Sequence, residues 1–331
     1  MAENGERPHP STADAGSIRS IRIGTRGSRL AQWQARYVAE RLERQHPGLK
    51  VELVEIKTLG DRDRSSPLAA IGEIGLFTKE IQRALAEGAV DLAVHSLKDL
   101  PTQGPGGLVL AAVPPRESTA DALVAPVHRS LDALPRGARV GTSSLRRAAQ
   151  LRSVRADLVV VPVRGNVETR IRQAVEGGVD AVVLAEAGLR RLGLEELITE
   201  RLEPPRMFPA VGQGALGIEC RAADVATIAL ARHLDDVETH RAVLAERALL
   251  SELGGGCLIP LGALAQARDG GVSIEAALFD VAGTRRIFAS IGPSDDPEAL
   301  GRAAADRLRE QGAAELIDAV RSHLGEYPSA G

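Results

Sequence analysis

The chain has 331 residues, 44% of them hydrophobic and 26% charged, with a formal net charge of −3. That length suits two or three cores rather than one, and the composition is globular, with no apolar run long enough to cross a bilayer. The net negative charge disfavours a general nucleic-acid binder. Only Cys220 and Cys257 are present, so a disulfide framework is not expected, and the composition fits a reducing compartment, the cytoplasm. Residues 1–17 are rich in Pro, Ser and Gly and lack an apolar core after a basic start, so they read as a disordered tail.

Elements alternate from there. Ile21-Arg22-Ile23 predicts a strand, a Gly-Thr turn follows, and the spacing of Trp33, Tyr37, Val38 and Leu42 predicts a helix from Ser28. A strand at 51–57, a Gly-bearing polar loop at 60–75, a helix at 76–86 and a strand at 90–94 complete an α/β pattern. The pattern then repeats. Ile23-Gly24-Thr25-Arg26-Gly27-Ser28 is echoed by Val140-Gly141-Thr142-Ser143-Ser144, and the segment at 87–94 by that at 176–183. Two similar α/β lobes enclose a cleft, with ligand groups beyond their strand ends. Prolines at Val113-Pro114-Pro115 and Pro204-Pro205-Arg206 mark candidate hinges. Beyond a strand at 216–220 come helices at 224–234 and 237–253. Strands at 258–266, 272–279 and 285–290 and a helix at 297–311 then read as a small α+β domain.

Helix starts attract anions through unpaired N–H groups and the macrodipole. Arg26 and Ser28 sit at the first such start, and Ser143, Ser144, Arg146 and Arg147 at the second. Cations there oppose the dipole, which makes sense if an anion lies between them; a plain serine cap with solvated arginines is the other reading. Arg164, Arg170, Arg190 and Arg191 follow strand ends in the second lobe. Forked guanidinium donors match carboxylates in pairs, and no phosphate-binding glycine loop is present. Lys98 and Asp99 end an apolar strand, either facing the cleft or forming an ordinary surface turn before Pro101. Cys257 follows Gly254-Gly255-Gly256, a turn bare enough for its thiol to carry a bulky adduct, whereas Cys220 lies in an apolar strand and reads as packing. Neither thiol has the clustered partners of a zinc site.

Seven stretches in order resemble the porphobilinogen deaminase family: Ile23-Gly24-Thr25-Arg26 with Ser28; Val94-His95-Ser96-Leu97-Lys98-Asp99-Leu100-Pro101; Gly141-Thr142-Ser143-Ser144-Leu145-Arg146-Arg147; Arg164-Gly165-Asn166-Val167; Ala187-Gly188-Leu189-Arg190-Arg191-Leu192-Gly193; Pro209-Ala210-Val211-Gly212-Gln213-Gly214; and Gly255-Gly256-Cys257. The resemblance implies three domains: residues 18–114 plus 215–232 and residues 118–208 as α/β lobes like those of periplasmic binding proteins, and residues 237–325 as an α+β domain carrying the cofactor cysteine. It implies a dipyrromethane cofactor held by Cys257 through a thioether, porphobilinogen as substrate, and head-to-tail condensation of four porphobilinogens with loss of ammonia, then hydrolytic release of the linear tetrapyrrole. Asp99 would be the catalytic carboxylate. Lys98, Ser144, Arg146 and Arg147 would bind the cofactor, and Arg26, Ser28, Arg164, Arg170, Arg191 and Gln213 the substrate or growing chain. A monomer without nucleic-acid or membrane partners is the family expectation.

The chain departs from the family pattern at Leu59, where Arg commonly precedes Gly-Asp, and at Ile74, where Lys is frequent; Gly254 and Leu258 replace common Glu and Gln. A rival reading is a non-catalytic carboxylate-binding sensor with two such lobes. It accounts for the arginines and leaves Cys257 and the third domain unexplained.

Overall fold

The computed structural model describes residues 18–58, 78–254, 259–268 and 270–325. The expected tail, the loop with Leu59 and Ile74, and Cys257 lie outside the described residues. The first lobe holds β1 (Ser20–Thr25), α1 (Arg29–Gln45), β2 (Lys50–Glu55), α2 (Lys79–Ala86), β3 (Leu92–Ser96) and β4 (Leu108–Ala112). The second holds β5 (Asp121–Val124), β6 (Arg139–Gly141), α3 (Leu145–Val154), β7 (Val159–Val161), α4 (Val167–Val175), β8 (Ala181–Ala185), α5 (Glu186–Arg191) and β9 (Glu200–Leu202). The chain returns to the first lobe for β10 (Leu216–Arg221) and α6 (Val225–Arg232). It ends in α7 (Val237–Glu252), β11 (Leu261–Arg268), β12 (Gly271–Phe279), β13 (Arg286–Ser294), α8 (Pro297–Glu310) and α9 (Ala313–Gly325).

The two lobes are built alike. Strand order is β2-β1-β3-β10-β4 in one sheet and β7-β6-β8-β5-β9 in the other. In each, the first three strands run parallel and the fourth is antiparallel to both neighbours. The echoed sequences fall on equivalent strands: β1 and β6 lead through a Gly-Thr turn into α1 and α3, whose starts are capped by Ser28, accepting from Ala31 N, and Ser144, accepting from Arg147 N. The antiparallel strands β10 and β5 each arrive from the opposite lobe, so both crossings meet beside the centres of the sheets.

Apolar periodicity explains the packing. The inward stripe of α1, Ala35, Val38, Ala39 and Leu42, covers Ile21, Ile23 and Leu92 of the first sheet. In the C-terminal domain, Ala242, Ala245 and Leu249 of α7 meet Ala263, Ala265, Ile274 and Ala276, and the alanines let helix and antiparallel sheet approach closely. Asp236 caps α7, accepting 2.8 Å from Thr239 N. Asp236→Ala is expected to lower stability by about 1 kcal/mol without moving the sheet, measurable as a shift of the urea midpoint.

Several expectations shift. The candidate hinge Pro204-Pro205-Arg206 lies inside the second lobe, where Arg206 binds Glu200 and Asp132; the chain leaves that lobe at Pro209, whose carbonyl accepts from Ala263 N of β11. Helix α9 follows α8 after Gly312, at φ +95°, and was not expected. The sequence pattern does not predict strands β4, β5 and β9 either.

Candidate active site

Two crossing segments, residues 113–120 and 209–215, pass side by side between the lobes. Gly214, at φ +86°, lies so close to the Glu117 and Ser118 carbonyls that a Cβ there would collide with backbone. A buried ion pair locks the crossings to the C-terminal domain. Arg116 donates through both terminal nitrogens to Glu246 of α7 at 2.8 and 3.0 Å, and through Nε to Gln213 O at 2.8 Å. Glu246 is fully buried and also accepts from Gly212 N and Ala265 N. Four donors on one carboxylate satisfy it without water.

Beside this junction lies a charge cluster. Asp121, first residue of β5 and wholly buried, accepts from Arg146 at 2.7 Å, from Arg147 Nε at 3.0 Å and NH2 at 2.7 Å, and from Gln213 Nε2 at 3.0 Å. Arg146 also donates to Phe208 O at 2.5 Å, and Arg147 to Val183 O at 3.1 Å. Gln213, itself buried, accepts from Lys98 Nζ at 3.4 Å, which carries the chain of contacts from the second lobe into the first. Burial disfavours a charged Asp121, yet the two guanidiniums prevail and hold its carboxyl well below the usual range. Cations outnumber the anion. Desolvation and then the Arg147 charge lower the Lys98 ammonium to about 8, while Asp99 and Asp121 oppose the shift.

Asp99 closes a 3₁₀ turn, Leu97–Asp99, at the end of β3. Leu97 N donates to Ala215 O, and Leu100 N to Leu97 O; Leu97 and Leu100 pack with Val113, Ala215 and Val243. The backbone is therefore fixed while Asp99 itself is exposed. Arg170 of α4 lies within the field of the same groups. Burial and then Arg147 lower its guanidinium to about 10, with Asp99 opposing and Arg164 adding to the shift. Its Nε donates to Gly165 O at 2.8 Å. Arg191 closes the seam between lobes, donating to Gly214 O at 2.6 Å, with its guanidinium 5.8 Å from the ring centre of Trp33 in α1. Trp33 stacks on Tyr37 at 5.2 Å. Burial lowers Arg191 to about 10 against the opposing influence of Glu117.

Lys98, Asp99, Ser144, Arg146, Arg147, Arg164, Arg170 and Gln213 thus belong to one electrostatic neighbourhood, with Ser144 as the cap that starts α3. Arg26 and Ser28 stand at the start of α1, and Arg191 at the seam. Sequence reasoning missed Asp121, Arg116 and Glu246. A signal existed for two of them: Asp121 is a lone charge heading the apolar run Ala122-Leu123-Val124, and Glu246 lies on the inward face of a helix among Ala242, Val243 and Leu249. Both positions demand a buried cation or several donors. Cys220 is buried, its thiol pushed up to about 11 by desolvation, as suits a packing residue.

Paired lobes meeting at a cation-rich seam, with an exposed carboxylate on a hydrogen-bonded turn beside it, suit an enzyme that acts on a ligand carrying several carboxylates. A family model described as porphobilinogen deaminase, dipyromethane cofactor binding domain, matches residues 21–229, and one described as porphobilinogen deaminase, C-terminal domain, matches residues 240–310. Curated relatives named porphobilinogen deaminase agree: that of Desulforudis audaxviator is 50% identical over 305 residues, 92% of this chain and 99% of its own. That of Syntrophotalea carbinolica is 49% identical, covering 92% and 97%, and that of Geobacter sulfurreducens 47%, covering 92% and 96%. The chain belongs to the porphobilinogen deaminase family, the hydroxymethylbilane synthases of tetrapyrrole biosynthesis, whose substrate is porphobilinogen and whose cofactor is dipyrromethane. The sensor reading is thereby set aside.

Proposed function

We propose that Asp99 is the catalytic carboxylate of this synthase and that Cys257 carries the dipyrromethane through a thioether. The observation that supports the first assignment is the placing of Asp99 on a backbone-fixed turn within the field of Lys98 and Arg170. Dipyrromethane, when bound, supplies a primer with a free terminal carbon and carboxylate side chains. The residues present fit such a group, because the buried excess of cations around Asp121 calls for anionic balance. Lys98, Ser144, Arg146 and Arg147 would hold its carboxylates. Arg26, Ser28, Arg164, Arg170, Arg191 and Gln213 would bind the acetate and propionate of incoming porphobilinogen and of the growing chain. Asp99 would hold pyrrole N–H groups and stabilise the positive charge that develops on the substrate as ammonia leaves.

Intact-protein mass under denaturing conditions tests this. An added mass equal to dipyrromethane is expected, absent from Cys257→Ser; a bare chain before and after incubation with porphobilinogen would overturn the assignment. The enzyme is further read as a cytoplasmic monomer acting without nucleic acid or membrane. In support, the net charge is −3 and no helix among the described residues is long and apolar enough to cross a membrane; light scattering checks the oligomeric state.

A pH dependence follows from Lys98. Its charge is present below about 8 and lost above. A bound carboxylate favours the charged form, so binding takes up a proton and weakens as pH rises through that value. Assembly of the primer on apoenzyme, followed by mass, is expected to fall over this range. The step should disappear in Lys98→Met.

A further inference from the structure

We infer that Arg247 is a positioning residue for the reaction: from the helix that leads towards Cys257 it fixes the backbone that carries Asp99. The inference rests on Asp99 being the catalytic carboxylate. Arg247 lies on α7, ten residues before Cys257 in the chain. Its guanidinium donates to Leu100 O at 3.0 Å and Pro101 O at 2.7 Å, with Thr102 O at 3.5 Å. These carbonyls immediately follow Asp99. One helical turn earlier on the same face, Val243 packs against Leu97 and Leu100. Helix α7 therefore grips the turn twice, by apolar contact before Asp99 and by hydrogen bonds after it.

Stability alone is a poor reason for this arrangement. Burial lowers the pKa of Arg247, and Glu219 partly offsets that. Glu219 is itself engaged, 2.9 Å from His95 Nε2 and accepting from Gln82 at 3.1 and 3.2 Å. A guanidinium turned on neutral carbonyls in a partly dry setting gains less than one on a carboxylate. What the planar fork supplies is geometry: several carbonyls of one bend are held at once, which a lysine ammonium on a flexible stem does not reproduce. The turn bearing Asp99 and the domain bearing Cys257 are thereby kept in register, and misplacement of a reacting group by about 1 Å costs on the order of 100-fold in rate.

Arg247→Met and Arg247→Lys are to be compared in the full-length holoenzyme with Asp99→Glu, which displaces the carboxylate by one methylene, and with the corresponding double variants. Arg247→Met is expected to retain the cofactor mass, to hold KM for porphobilinogen within about twofold, and to lower kcat by about 10- to 100-fold; Arg247→Lys should fall between. In Asp99→Glu, already misplaced, the same change should cost less than it does alone. Wild-type kcat in Arg247→Met, or effects that multiply in the double variant, would overturn the proposal. So would failure of both Arg247 variants to fold, which would make the residue structural. Wild-type kcat in Asp99→Glu together with Asp99→Ala would instead remove the reading of Asp99 itself.

Discussion

Asp99→Ala is expected to fold and to keep its cofactor mass, yet to turn over porphobilinogen slower by on the order of 100- to 1,000-fold, the range seen when one preorganised electrostatic group is deleted. The expectation follows from where the residue stands. Its side chain is exposed at the end of β3, and the bonds that shape the turn run through the backbone of residues 97 and 100 and through packing of Leu97 and Leu100. Removing the carboxylate therefore leaves the scaffold intact and takes away one negative charge facing Lys98 and Arg170. Steady-state rates alongside intact mass check it. A rate near that of the parent would place the chemistry on another group.

The second large effect is on folding. Asp121→Asn is expected to destabilise the protein by about 3–5 kcal/mol, because it leaves two buried guanidiniums facing a neutral amide. Arg146, Arg147 and Gln213 all donate to this carboxylate, and relative exposure is 0% for Asp121 against 5% and 6% for the two arginines. The sign of the acid dependence follows: a carboxyl held below its unfolded value stabilises fully above pH ~4 and loses that contribution only as pH falls further, through its folded value. Urea unfolding at neutral pH and in acid checks both statements. An unchanged midpoint in Asp121→Asn would mean that the cluster is solvated in solution.

Periodicity and turn chemistry revealed the regular part of the fold. The Gly-Thr turns before Ser28 and Ser144 mark equivalent caps because a strand entering a helix needs a compact bend and an acceptor for free N–H groups, and both demands are local. Strands β5 and β9 escaped notice for the opposite reason: four and three residues long, they owe their existence to pairing with each other and with β8 across the sheet. Pro204-Pro205-Arg206 reads as a candidate hinge because proline breaks elements wherever it stands; whether the break lies within a lobe depends on tertiary partners such as Glu200 and Asp132. Among the site residues, Arg146, Arg147 and Lys98 were visible as charges at strand and helix ends. The anchor that Arg146 and Arg147 share was not, since Asp121 lies more than twenty positions away in sequence and meets them only once β5 has paired into the second sheet.

The stacked pair at the seam has an optical consequence. Trp33 is the single tryptophan of the chain, and it belongs to α1 of the first lobe, while the guanidinium 5.8 Å from its ring centre belongs to α5 of the second. Emission excited at the red edge of protein absorbance thus comes from one indole whose nearby cation is supplied by the opposing lobe. Any separation or closure of the lobes changes the electric field and the solvent at that ring. The native enzyme accordingly carries an inbuilt fluorophore that reports, with no label attached, whether the lobes shift against each other when substrate is added.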